Sequence, residues 1–87
     1  MRVLVRDPRI TLSYLPYAIL PRVYTREGRI VQLDALSYRV WELSDGALER
    51  GELIEMVSRE HGLPAPAVER VVERLLKLGL LAEVELQ

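Results

Sequence analysis

At Asp34 the hydropathy pattern of this 87-residue chain changes period, and that single switch divides what it can fold into. Upstream, apolar residues recur at every second position, which is the spacing of a strand with one face inward. Downstream they recur at the three- and four-residue spacing of an amphipathic helix. A β-like first third followed by a helical remainder predicts an α+β domain, a three-stranded antiparallel sheet followed by three helices, in outline a winged helix-turn-helix.

Ile10, Leu12 and Tyr14 alternate between Pro8 and Pro16, predicting a short strand over 9–14. A second extended segment, 17–25, carries Tyr17, Ile19, Val23 and Tyr24, with Pro21 limiting its pairing to one side or marking a bulge. Thr25-Arg26-Glu27-Gly28 reads as a hairpin loop, Gly28 supplying the positive φ that closes it. The third strand is Arg29 to Leu33, with Val31 and Leu33 on one face and Ile30 and Gln32 on the other.

Asp34 then stands where a helix N-cap is needed, its carboxylate placed to accept an orphan N–H of the first turn. The first helix is expected over 35–44, with Leu36, Val40 and Leu43 inward, Trp41 as a packing anchor on the stripe's edge, and Gly46 as the C′ residue after Ser44-Asp45. A second helix over 49–61 turns Leu53, Ile54 and Val57 inward and ends at His61-Gly62, where a histidine interacts well with the helix dipole. Pro64-Ala65-Pro66 breaks the chain, and Pro66 suits the first position of a third helix running to Leu78 and stopped by Gly79. On a helical wheel Val68, Val71, Val72, Leu75, Leu76 and Leu78 cover more than half its circumference, wider than packing on one neighbour requires. A central helix explains that width, and so does a flank left to line a groove for a partner. Leu81 to Leu86 alternates and reads as a last short strand.

Composition removes most chemistries. The chain has no cysteine and one histidine, so thiolate zinc sites, iron–sulfur clusters, disulfides and multi-histidine metal sites have no ligands. Each of the five glycines, at 28, 46, 51, 62 and 79, stands at a turn or helix end, and none belongs to a phosphate-binding loop. His61 has no serine or cysteine partner in a nucleophilic pattern and reads as structural or solvated. The carboxylate pairs Glu69 with Glu73 and Glu83 with Glu85 read as solvated faces rather than acid/base pairs. Catalytic and metal-binding residues are therefore expected to be none, and no cofactor is expected. Twelve basic residues, eleven of them Arg, against thirteen acidic ones leave a net charge of −1, a poor attraction for phosphate or anionic lipid. The third helix would expose Glu69, Arg70, Glu73, Arg74 and Lys77, a weak phosphate footprint in which Glu73 and Lys77 have intrahelical pairing distance. DNA binding is the minority expectation. Arginines interrupt Met1-Arg2-Val3-Leu4-Val5-Arg6 before a signal-peptide core could form, and no apolar run has membrane-spanning length. A cytoplasmic, soluble single domain over 1–87 is expected.

What remains is a sheet edge. The strand 29–33 contains no proline and only Arg29 to discourage pairing, so its unpaired N–H and C=O groups form a template for an extended peptide.

The segment Val31-Gln32-Leu33-Asp34, the following Trp41-Glu42-Leu43-Ser44-Asp45-Gly46 and the closing Leu78-Gly79-Leu80-Leu81 resemble the PqqD-like peptide chaperones, also called RiPP recognition elements. The resemblance covers residues 8–82. Asp34 replaces the family's usual Asn and caps equally well. Glu49 stands where a capping Thr or Ser is common, so the second helix is expected to lack that stabilisation. Asp7-Pro8-Arg9-Ile10-Thr11-Leu12 and Pro16-Tyr17-Ala18-Ile19-Leu20 look more like the mycofactocin-system chaperone than the pyrroloquinoline quinone one, with Tyr17 and Ala18 in place of Phe and Gly. Leader-binding proteins of lasso-peptide pathways share the architecture.

The resemblance implies a non-catalytic adaptor that binds the leader of a ribosomal precursor peptide by strand addition and presents it to a modifying enzyme. That enzyme is a radical S-adenosylmethionine maturase or, in the lasso alternative, a leader peptidase and cyclase. The expected peptide-binding residues are Arg29, Ile30, Val31, Gln32 and Leu33 on the strand and Ala67, Arg70, Val71, Arg74, Leu75 and Leu78 on the third helix. The helical wheel leaves open which flank lines the groove, Ala67–Val71–Arg74–Leu78 or Val72–Leu76.

Overall fold

Thr25 and Arg29 close the hairpin that the sequence announces. The Thr25 N–H donates to the Arg29 carbonyl at 2.8 Å, and the Gly28 N–H donates to the Thr25 carbonyl at 3.0 Å. Gly28 has φ +81°, a conformation that an L side chain would strain. The structure is a computed structural model that describes residues 1–7, 11–13, 22–25 and 27–86, with 11–13 as backbone alone. Pro8, residues 9–10 and 14–21, and Arg26 lie outside the described residues. With them go the ends of the expected first strand, most of the second extended segment with Pro21, and most of the 7–20 motif.

Among the described residues, six strands and three helices follow in the order β1 (Arg2–Arg6), β2 (Thr11–Ser13), β3 (Arg22–Tyr24), β4 (Ile30–Gln32), α1 (Ala35–Leu43), β5 (Asp45–Glu49), α2 (Arg50–His61), α3 (Ala65–Lys77) and β6 (Leu81–Glu85). The expected antiparallel sheet is present as β2-β3-β4, and the expected class holds. A second antiparallel sheet, β5-β1-β6, joins both ends of the chain to its middle. The terminal alternation is its strand β6, while β1 and β5 have no counterpart in the sequence reading. Val3-Leu4-Val5 is too short to show a period. Asp45-Gly46 reads as a helix stop, yet both residues lie in β5, where the pairing with β1 is irregular between Val3 and Val5. Ser44 is the cap of α1, and Gly46, at φ +84°, belongs to that irregular strand rather than to the C′ position.

The helix boundaries have visible local causes. The Asp34 carboxylate accepts the Ser37 N–H at 2.7 Å, as an N-cap aspartate should. That hydrogen bond, ahead of a weaker contribution from Arg74, holds the Asp34 carboxyl below the usual aspartate range. The expectation of an uncapped α2 is wrong. The Glu49 carboxylate folds back and accepts the Glu52 N–H at 3.2 Å. A Cβ at residue 51 would sit 3.0 Å from that carboxylate, so Gly51 leaves the space it occupies. α3 begins one residue earlier than expected, with Pro66 within its first two positions. It ends in a Schellman motif, Leu80 N–H to the Leu75 carbonyl and Gly79 N–H to the Leu76 carbonyl, both 3.0 Å.

One apolar core joins the elements. Leu4, Val23, Leu33, Val40, Trp41, Leu53, Val57, Val68, Val72, Leu75 and Leu80 are all buried within it. Trp41 is 8 % exposed, stacked 6.2 Å from Tyr38 and covered by the Arg6 guanidinium at 5.1 Å, so its packing role holds. No helix among the described residues is long and apolar enough to cross a membrane.

Candidate peptide-docking site

β4 pairs with β3 on one side, Arg22 facing Gln32, Val23 facing Val31 and Tyr24 facing Ile30. Among the described residues its other side is a sheet edge. The direction of its backbone groups follows from the hairpin. The pair Thr25/Arg29 is hydrogen-bonded, and hydrogen-bonded and non-hydrogen-bonded pairs alternate along an antiparallel ladder. Arg29 and Val31 therefore aim their N–H and C=O groups at the β3 side of the hairpin. Ile30 and Gln32 aim theirs outward.

The side chains follow the same parity. Leu33 is buried, and Val31 packs half-buried against the core. Ile30, 55 % exposed, lies opposite exposed Tyr24 on the outer face, and Gln32 is exposed beside them.

The C-terminal end of α3 approaches the hairpin that leads into this strand. At one end, Thr25, Glu27 and Arg29 of the hairpin share a cavity of about 260 Å³ with Lys77 and Leu78. At the other, Arg74 is close enough to Asp34 to favour its carboxylate. Two residues of the Ala67–Val71–Arg74–Leu78 flank, Arg74 and Leu78, thus lie near Asp34 and the hairpin. On the other flank Val72 is fully buried and Leu76 is half-buried against the core. Val68, Val72 and Leu75 supply the core, and Ala67, Val71 and Leu78 are half-buried beside it, so the wide stripe combines a central helix with a partly covered flank. Of the expected contact set, Leu33 and Leu75 are buried in the core. Arg29, Ile30, Gln32, Arg70 and Arg74 are exposed.

The carboxylates expected to be merely solvated are instead engaged. Arg50, at the start of α2, lies 2.6 Å from Glu73 and 3.4 Å from Glu69 on α3, and it also pairs with Glu83 on β6. Glu85 pairs with Arg2 at 3.5 Å. Glu73 therefore turns to Arg50, not to Lys77 as the helical spacing suggests. Helical spacing reveals only partners on the same helix, whereas Arg50 is 23 residues away in the chain and is brought close by packing. His61 Nδ1 lies 3.2 Å from the Val57 carbonyl oxygen, within its own helix.

The sequence profile described as coenzyme PQQ synthesis protein D (PqqD) matches residues 22–81, from β3 to the first residue of β6. The chain belongs to the PqqD family. The match includes β4, α3 and every expected contact residue of this PqqD-family chain. A solved structure titled "TbiB1 in Complex with the TbiA(beta) Leader Peptide" is similar in fold, with a TM-score of 0.67 and 20 % identity over 88 % of this chain and 93 % of that one. No curated protein sequence matches the chain. The family match begins at Arg22, so it does not reach the 7–20 motif that resembles the mycofactocin branch.

Proposed function

We propose that this PqqD-family protein binds the leader of a ribosomally made precursor peptide and presents it to a modifying enzyme. The leader adds to the sheet as a further strand on β4, bonding the outward N–H and C=O groups of Ile30 and Gln32. Its side chains pack on Val31 and on the Ala67–Val71–Arg74–Leu78 flank of α3. The observation that carries this reading is the hairpin register, which leaves those backbone groups facing away from β3, on a hairpin that shares a cavity with Lys77 and Leu78 of α3. Family membership and the fold shared with a protein solved with a leader peptide support it.

The protein catalyses nothing itself. Tethering the precursor makes its encounter with the enzyme intramolecular, at effective concentrations on the order of millimolar for short flexible tethers. The enzyme is a radical S-adenosylmethionine maturase, a choice supported by the family's link to coenzyme synthesis, with a leader peptidase and cyclase as the alternative. A short precursor gene beside this one, with either enzyme as neighbour, decides between them.

The test is a titration of the ¹⁵N-labelled chain with the synthetic leader of that precursor. Binding at micromolar Kd or tighter, about −8 kcal/mol, is expected. Amide shifts should concentrate on residues 28–34 and 67–78. Absence of binding, or shifts confined to the β5-β1-β6 sheet, overturns the proposal.

A further inference from the structure

α3 carries its charges in two stripes with different fates. Glu69 and Glu73 lean to one side, toward Arg50, at 3.4 and 2.6 Å. Arg70, Arg74 and Lys77 recur at the four- and three-residue spacing that aligns side chains along a helix, and all three are exposed. Among the described residues Arg74 acts on Asp34, the N-cap of α1, as a lesser influence. Lys77 reaches the cavity shared with Arg29 and Leu78, so the cationic stripe ends where the β4 edge begins. Glu27 lines that cavity too.

Because the chain as a whole is slightly anionic, this stripe is a local feature and not the consequence of a basic protein. Two arginines in line can each take a carboxylate bidentately, and a lysine adds a point charge beside them. We infer that the peptide docked on β4 carries an acidic segment, two or more Asp or Glu residues, that crosses Arg70, Arg74 and Lys77. This inference rests on the docking reading above. It adds the chemical class of the peptide and the residues that select it. A peptide is favoured over a nucleic acid because the stripe adjoins an open strand edge with exposed Ile30, and because three cations give few phosphate contacts.

The test uses random 20-residue peptides displayed and selected against the full chain, and against a chain with Arg70→Gln, Arg74→Gln and Lys77→Gln whose folding is checked by circular dichroism. Peptides selected by the native chain should be enriched in Asp and Glu beside an extended apolar segment. Changing those acids to Asn or Gln should weaken binding at least tenfold in 50 mM salt, and much less in 500 mM salt. The substituted chain should distinguish the two peptide versions less than twofold. Selected peptides that shift residues 28–34 but show no acidic enrichment overturn this inference and leave strand docking intact. Selected peptides that bind away from β4 overturn the docking reading itself. A 20-base-pair DNA duplex that binds more tightly than every selected peptide, and loses affinity in the substituted chain, reassigns the stripe to phosphate.

Discussion

Arg50 and Glu73 meet at 2.6 Å across the α2–α3 interface, although they begin on elements separated by a proline-rich turn. The Arg50 side chain is 17 % exposed and also serves Glu69 and Glu83, so one guanidinium ties α2 to α3 and to β6. The hydrogen bond to Glu73, more than any other contact, strengthens its hold on its proton. Replacing Arg50 with Gln should cost about 1 kcal/mol, the upper end of the range for exposed pairs, because three carboxylates lose their common partner. Urea denaturation at 20 mM and 500 mM salt checks this. The difference from the native chain should shrink at high salt.

Trp41 is the largest side chain in the core and touches both the β1 and α1 sides of it through Arg6 and Tyr38. Trp41→Ala should cost on the order of 3–5 kcal/mol, a large share of what a domain this small has. Chemical denaturation reads the loss directly. A variant with unchanged stability but lost peptide affinity would make Trp41 a contact residue.

Asp34 links helix capping to pH. Its folded carboxyl is held low, so the stability it contributes is complete above the ordinary aspartate range and is lost as pH falls through its lowered value. Asp34→Ala should therefore cost about 1 kcal/mol at pH 7. Asp34→Asn should keep most of the cap and lose part of the acid-side decline. Thermal melts between pH 2 and 7 separate the two outcomes.

The strand register makes a paired prediction on β4. Gln32→Pro removes an N–H that faces outward, so it should weaken leader binding while leaving the β3–β4 ladder in place. Val31→Pro removes an N–H that faces β3 and should destabilise the fold itself. Peptide titration beside circular dichroism distinguishes them. Equal peptide affinity in the native and Gln32→Pro chains would place docking on another edge.

Local sequence determined the elements whose causes are local. Asp34 and Ser37 define the start of α1, Gly28 closes the hairpin, and the alternation of Val31 and Leu33 with Ile30 and Gln32 assigns the faces of β4, because each depends on neighbours within a few residues. Packing decided what joins distant segments. β1 and β5 become strands only by pairing with each other and with β6, a partnership that no periodicity in Val3-Leu4-Val5 or Asp45-Gly46 announces. Glu49 caps α2 by folding its carboxylate back over Gly51, where no side chain crowds it. Tertiary structure also brought Lys77 and Leu78 of α3 to the hairpin residues Thr25 and Arg29. It drew Glu69 and Glu73 toward Arg50 and left Arg70, Arg74 and Lys77 exposed, since the partner of a charge depends on distance in space and a helical wheel records only distance along one helix.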